Sequence, residues 1–350
     1  MENKHSSILY TKRIGILILL FLASVGTQAQ KRKTMRFMFY NVENLFDTID
    51  SPITNDIEFT PSSEKQYTSA RYNEKLFHLS KVIQSVSPRD LPEIIGLSEV
   101  ENKKVLEDLA DQPLIKKADY QIVHFDSPDK RGIDNALLYR KKEFTVTQAK
   151  NIPVNLTTSD RPTRDILYVE GYNRKKDTIH LLVNHFPSRW GGKKQSEPKR
   201  IEVAKQLRTL IDSIINNHQS PNIVVMGDFN DTPSDSSMMI VIDGFNDNIY
   251  PALPMVNITS SLVNDSTGSY FYRGSWEMLD QMIVSKTLFQ EGGLKFQKVR
   301  IHKRPWMLYE NKRYNTFAPS RSYGGNNYYG GFSDHLPVVL TTRIKRPAKR

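Results

Sequence analysis

The chain has 350 residues, no cysteine, and 49 Lys and Arg against 38 Asp and Glu, a net charge of +11. The length fits one large domain or two ordinary ones, and 38% hydrophobic with 25% charged residues suits a folded chain with a substantial core. The lack of cysteine excludes disulfides, zinc–thiolate sites, iron–sulfur clusters and thiol catalysis, while the positive charge favours phosphorylated or polyanionic partners.

At the N-terminus, Lys4, Lys12 and Arg13 precede an apolar run at 14–25, followed by Gly26-Thr27-Gln28-Ala29. This is the layout of a secretory signal peptide cut after Ala29. The run is shorter than the ~20 residues of a membrane-spanning helix, which argues against an uncleaved anchor. No later stretch is apolar enough to span a bilayer. The expectation is an exported protein, periplasmic or extracellular, with residues 1–29 removed and 30–350 forming a single domain. No protein partner is expected.

Short runs rich in β-branched and aromatic residues predict strands at 35–40, 94–97, 120–124, 136–139, 166–169, 178–183, 223–226, 281–284 and 336–340. Amphipathic spacing predicts helices at 72–86, 104–110 and 197–217. Many strands mixed with a few helices in an undivided chain point to a large α/β sandwich. Two stretches, 48–69 and the Tyr/Gly-rich 302–331, read as long loops, and 343–350 as a basic solvated tail.

The strand ends carry the chemistry. They read Tyr40-Asn41-Val42-Glu43-Asn44, Ser98-Glu99-Val100, Val183-Asn184-His185-Phe186, Gly227-Asp228-Phe229-Asn230, Leu279-Asp280-Gln281 and Ser333-Asp334-His335-Leu336-Pro337. Each sets a carboxylate, amide or imidazole beside apolar strand residues, the place from which a sheet edge projects groups into a cleft. Carboxylate and amide oxygens are hard ligands suited to magnesium, manganese or calcium. Histidines with Asp neighbours transfer protons. No serine-centred elbow is present. Together these residue types indicate metal-assisted hydrolysis of a phosphate ester. The bland readings are a β-turn for Asp228 and Asn230, a surface pair for Asp334 and His335, and solvated faces for Arg164, Arg189 and Arg200.

On these motifs the sequence resembles the endonuclease/exonuclease/phosphatase superfamily, which includes pancreatic-type deoxyribonuclease, apurinic endonucleases, inositol polyphosphate phosphatases and secreted sphingomyelinases. The likeness runs from about residue 35 to 340, with the Gly227–Asn230 and Ser333–Pro337 motifs its most specific parts. It implies a four-layer α/β sandwich of two packed mixed β-sheets flanked by helices. It also implies roles. Asn41 and Glu99 hold the divalent cation, Mg²⁺ with Mn²⁺ or Ca²⁺ as alternatives, and Asp334 lies beside it. Asp228 orients or deprotonates the attacking water, and Asn230 holds Asp228 and the phosphate. His335, oriented by Asp280, and His185 contact the scissile phosphate. In Gly132-Ile133-Asp134-Asn135-Ala136, Asp134 is the candidate partner of His185 and Asn135 a candidate substrate contact. Arg164 matches an arginine that touches backbone phosphate.

The segment Phe186-Pro187-Ser188-Arg189-Trp190-Gly191-Gly192 looks like a loop of secreted bacterial nucleases, with Arg189 a substrate contact. Lys193, Lys194, Lys199 and Arg200 extend a basic surface, and 306–329 interleaves tyrosines with cations. The resulting expectation is an exported Mg²⁺-dependent phosphodiesterase that acts on nucleic acid. The alternatives are a phosphodiesterase or phosphatase acting on lipid head groups or small phosphate esters, and a non-catalytic nucleic-acid-binding protein.

Overall fold

A computed structural model describes residues 34–243, 255–264, 266–290 and 293–344. The expected leader at 1–29 and residues 345–350 of the basic tail lie outside them.

In chain order the principal elements are β1 (Thr34–Leu45), α1 (Ser69–Val86), β2 (Ile94–Val100), α2 (Lys103–Ala110), β3 (Tyr120–His124), β4 (Asp134–Arg140), β5 (Phe144–Ile152), β6 (Ile166–Asn173), β7 (Thr178–His185), α3 (Lys193–Asn217), β8 (Asn222–Asp228), α4 (Ser236–Asp243) and β9 (Met255–Asn257). There follow β10 (Tyr270–Tyr272), β11 (Ser275–Glu277), β12 (Asp280–Ser285), β13 (Leu294–Ile301), β14 (Leu308–Asn311), β15 (Thr316–Pro319), β16 (Tyr323–Gly324), β17 (Asn327–Tyr328) and β18 (Val338–Ile344). One six-stranded sheet has the order β13-β18-β1-β2-β4-β3 and the other β5-β6-β7-β8-β12-β9. Both are mixed: β1 with β2 and β7 with β8 are parallel, among antiparallel neighbours.

Strand alternation builds the layers. Along β1, Met35, Phe37 and Phe39 enter the core between the sheets, where they meet Val183 of β7 and Val224 and Met226 of β8. The intervening Met38, Tyr40 and Val42 face outward and pack under Leu76, Leu79 and Ile83 of α1 and Leu109 of α2. In the second sheet, Leu182, Ile223 and Val225 turn outward to Val203, Leu207 and Ile211 of α3 and Met238 of α4. The result is helix, sheet, sheet, helix, the expected four-layer sandwich. Every interior strand is sandwiched on both faces, which is why each reads as a near-continuous apolar run. Burying such a side chain contributes ~1.5–3 kcal/mol of transfer free energy, so three apolar layers supply most of the stabilisation.

The departures from expectation have physical causes. Strands β5 and β13 carry no clear strand signal in the sequence; each is one edge of its sheet, and their sequences, FTVTQAKNI and LKFQKVRI, mix polar residues into the run. Helix α4, SSMMIVID, holds its apolar residues in one unbroken run, so no helical spacing shows in the sequence. The stretch 302–331, expected to be one long loop, is organised by the hairpins β14–β15 and β16–β17.

Candidate active site

The ends of β1, β2, β7 and β8 and the start of β12 meet at one edge of the sandwich. Register sets the order. His185 pairs in parallel with Asp228, and Asp280 pairs with Asp228 from the antiparallel side. These three form one cross-strand row. Asn41 pairs with Ser98, next to Glu99. The register slips there on both sides of β2, between Asn41 and Leu45 and between Ser98 and Val100. At the slips Glu43, Asn44 and Glu99 take left-handed backbone, with φ of 52°, 56° and 63°. Asn230, after Asp228, does the same at 51°. Such conformations cost of order 1–3 kcal/mol each and cluster where side chains must be aimed at a ligand. Gly227 is required by the approach of β7: a Cβ there would lie 2.4 Å from the Asn184 carbonyl oxygen.

Asp228 is the hub. Its Oδ1 accepts from the Asn230 backbone N–H at 2.9 Å and its Oδ2 from Asn41 Nδ2 at 3.0 Å. His185 Nε2 is 3.6 Å and His335 Nε2 3.8 Å from the same Oδ2. Asn230 also donates its amide to the Phe186 carbonyl at 3.0 Å. His335 Nδ1 is 2.6 Å from Asp280 Oδ2, its backbone N–H donates to Ser333 Oγ, and Ser333 Oγ donates to the Asn41 carbonyl. The Tyr270 ring lies against His335 with centroids 4.7 Å apart. Glu99 accepts from the Asn44 backbone N–H at 3.0 Å and from Asn41 Nδ2 at 3.4 Å.

The two histidines are driven in opposite directions. Burial presses His335 toward the neutral form, but Asp280, Asp228 and Asp334 outweigh it and hold the imidazolium well above its ordinary value of 6.5. His185 is pushed well below 6.5 by burial, reinforced by the charges of Arg164, Arg131 and His335. Burial raises Asp228, against the pull of the His335 charge. The site thus pairs a protonated and a neutral imidazole across one carboxylate. That division suits one proton donor and one group that accepts or orients a proton.

The sequence profile of the endonuclease/exonuclease/phosphatase family matches residues 36–344. The chain belongs to this family. Family membership makes it a metal-dependent hydrolase of phosphate esters, in keeping with the oxygen-rich site. No curated protein matches it in sequence. Solved structures share the fold at low identity. The human Nocturnin catalytic domain with bound sulfate anion superposes with a TM-score of 0.55 at 16% identity, covering 89% of this chain and 95% of that one. Truncated TDP2 from Caenorhabditis elegans gives 0.54 at 17%, covering 89% and 98%. A mannosyl-6-phosphatase from Bacteroides thetaiotaomicron gives 0.53 at 15%, covering 89% and 100%.

The donor set fits the family's divalent metal. Glu99, Asp228 and Asp334 line one cleft and offer only oxygen. Among the described residues Glu99 forms no ion pair with a lysine or arginine, so its charge is open to a cation. Asp334 is steadied by Arg321 at 2.8 Å. Asn41 lies against these acids. Its NH₂ faces the carboxylates of Asp228 and Glu99, and its oxygen accepts from the Glu43 backbone N–H at 3.0 Å. An ionised carboxylate only accepts, so the amide must present its donors there. In this arrangement the Asn41 amide orients the two acids.

Some expectations are corrected. Asp134 is not the partner of His185; it bonds His124 Nε2 at 3.0 Å and the Ser127 backbone N–H at 2.8 Å. Among the described residues His185 Nδ1 has no hydrogen-bond partner. Asn135 is buried in β4, gives its amide to the Asp165 carbonyl at 2.8 Å, and does not line the cleft. Arg164 does line it, but as a buried residue held by Asp129 at 3.0 Å and the Phe186 carbonyl at 2.7 Å. Arg189 lies in the cleft wall with its guanidinium committed to Glu277 at 2.7 Å and the Asn230 carbonyl at 2.7 Å. Arg200 is fully buried against Asp231 at 2.7 Å and is no part of a basic surface. In each case a carboxylate claims the arginine, a partner that sequence distance conceals.

Several site residues went unassigned in the sequence. Glu43 is buried, accepts from the Ser322 backbone N–H at 2.7 Å, and stands between Lys75 at 3.9 Å and Arg321 at 3.5 Å. Burial, then the charge of Asp334, raises it to about 7. Lys75 in turn donates to Ser322 Oγ and the Phe332 carbonyl. This buried pair ties the end of β1 to the segment that carries Asp334 and His335. Glu43 stood in the Tyr40–Asn44 motif, so its signal was present. Lys75 and Tyr270 had none.

Proposed function

We propose that the protein is an exported, Mg²⁺-dependent phosphodiesterase that cleaves nucleic acid, with its site in one domain following the leader. The observation that carries this reading is the shape and charge of the cleft. The catalytic cavity, about 830 Å³, continues past Arg131, Arg164, Ser188 and Trp190 into a second groove of about 980 Å³. Lys130, Arg161 and Lys199 line only that groove. Trp190 stands at the junction, 79% exposed, with the Arg161 guanidinium 5.5 Å over its ring. A substrate with one phosphate has no use for a cationic extension, whereas a polynucleotide has further phosphates to place there and bases to stack on an indole.

The chemistry follows from the geometry. Glu99 and Asp334 would hold a divalent cation, which would supply neutralisation of the phosphoryl oxygens. Asp228, fixed by Asn230 and Asn41, takes a proton from the attacking water; its raised affinity for protons brings it nearer the operating pH of a general base. The His335 imidazolium, braced by Asp280, faces the developing charge on phosphorus-bound oxygen; as the water oxygen bonds to phosphorus the ester P–O bond breaks, and the imidazolium proton passes to the leaving oxygen. Neutral His185 stands across Asp228 and donates a hydrogen bond to the same group. Arg164 and Arg189 brace the wall. A phosphatase acting on a small ester is the second reading, favoured by the fold shared with the mannosyl-6-phosphatase.

A cleavage panel separates the two. Plasmid DNA, RNA, a chromogenic phosphodiester and a chromogenic monoester are each incubated with the Mg²⁺-loaded protein. DNA or RNA cleavage and diester hydrolysis well above monoester hydrolysis are expected. Monoester hydrolysis far above all of them would replace the nuclease reading with the phosphatase one.

A further inference from the structure

A second cluster of donors lies on strand β7 away from the cleft. His180 is five residues before His185, roughly 16 Å along a strand that rises ~3.3 Å per residue. Its cross-strand partner in β6 is Glu170. His218 caps the C-terminal end of α3 and brings its ring to within 4.5 Å of the His180 ring, centroid to centroid. The donor atoms of Glu170, His180 and His218 lie within 4.8 Å of one another.

Hydrogen bonding defines the state of His180. The Tyr168 hydroxyl donates to Glu170 Oε2 at 3.0 Å. Having one hydrogen, it must accept from His180 Nδ1–H, 2.9 Å away. His180 Nε2 then carries the lone pair. His180 is completely buried, and among the described residues nothing bonds to Nε2. The Tyr168 hydroxyl thereby fixes the tautomer and orientation of His180, as an outer partner does for a metal-binding histidine, while Glu170 Oε2 lies 3.9 Å from Nδ1. Burial, with the charge of His218, presses His180 down to about 4, so it is neutral and able to ligate at ordinary pH. A helix C-terminus also favours a cation.

We propose that Glu170, His180 and His218 form a binding site for a transition-metal dication of the zinc class, separate from the catalytic centre. Two imidazoles and a carboxylate match zinc, cobalt or nickel, and nitrogen donors discriminate against magnesium. Tetrahedral bonds of ~2.0–2.1 Å place donors about 3.4 Å apart, so the side chains close by about an ångström on binding. Glu170 is only partly buried, which gives the ion an entrance.

The test uses the purified protein, stripped with chelator, dialysed, held in excess Mg²⁺, and titrated with ZnCl₂ by calorimetry and with CoCl₂ by visible absorption. One zinc equivalent should bind, Co²⁺ should give a tetrahedral spectrum, and zinc should raise the Tm. His218→Ala and Glu170→Gln should weaken zinc by about 10–100-fold and abolish the Tm rise. Glu99→Gln should leave all three readouts intact. Unchanged binding in His218→Ala, loss of binding in Glu99→Gln, or no zinc binding or Tm rise in the wild type would each overturn the proposal.

Discussion

Asp228 is the residue on which the chemistry turns. Two donors hold its oxygens and two imidazoles flank one of them, so Asn at this position keeps the size and removes the base. Asp228→Asn should lower kcat by about 10²–10⁴ while circular dichroism and Tm remain near wild type. Near-normal turnover would reduce Asp228 to a turn residue. The histidine charges give a second prediction at this scale. His335 is raised above 6.5 chiefly by Asp280 among the carboxylates around it. A raised histidine stabilises the fold fully below about pH 6.5, and that contribution is lost as pH climbs through the higher folded value. If the imidazolium is the active form, activity persists well above pH 6.5 and then declines. Asp280→Asn should bring that alkaline limb to lower pH and remove the matching slope in stability. An unmoved limb in Asp280→Asn would show that His335 does not govern it.

At the scale of elements, the strand ends matter through their exact spacing and their neighbours. Gly227 lies on β8 against the Asn184 backbone, where a methyl group meets an atom that cannot swing away. Gly227→Ala should therefore destabilise by about 1–3 kcal/mol and also lower turnover, since Asp228 is adjacent. At Gly96 the nearest atom to an added Cβ is the flexible Met226 Sδ at 2.6 Å, so Gly96→Ala should cost less in Tm. Equal losses would contradict this account of Gly227. The same elements show what the sequence made legible. Interior strands such as β1, β7 and β8 declared themselves because both faces are buried, and their polar termini marked Glu99, His185, Asp228, Asp280 and His335. Edge strands β5 and β13 mix polar and apolar residues and were not seen. The pairings of Arg164 with Asp129, Arg200 with Asp231 and Asp134 with His124 were equally hidden. Each depends on which side of a strand or helix a residue faces once the sheets have packed. Asn41 shows the same gap at atomic detail: its position was legible, but which end of its amide meets Asp228 is decided by the neighbouring carboxylates.

For the whole molecule, the excess of lysine and arginine and the groove beyond Trp190 bear on the substrate. A strand laid across both cavities contacts several phosphates, so binding of duplex DNA to the Asp228→Asn protein should weaken with salt at a log–log slope of about −0.9 per contact. Reversing Arg161 and Lys199 to Glu should flatten that slope and spare hydrolysis of a small chromogenic diester. A slope near one that ignores both reversals would mean that the groove carries no phosphate.

We propose this cleft as a metal-dependent phosphodiester hydrolase built on oxygen ligands, and restoration of activity to stripped protein tests that most directly. Hydrolysis of the chromogenic diester is followed after exhaustive chelation and dialysis, then on titration with Mg²⁺, in the wild type and in Glu99→Gln. We predict no measurable turnover without metal, saturable recovery with Mg²⁺, and recovery in Glu99→Gln only at much higher Mg²⁺. Full turnover in the stripped wild type, or the same Mg²⁺ dependence in Glu99→Gln, would contradict it.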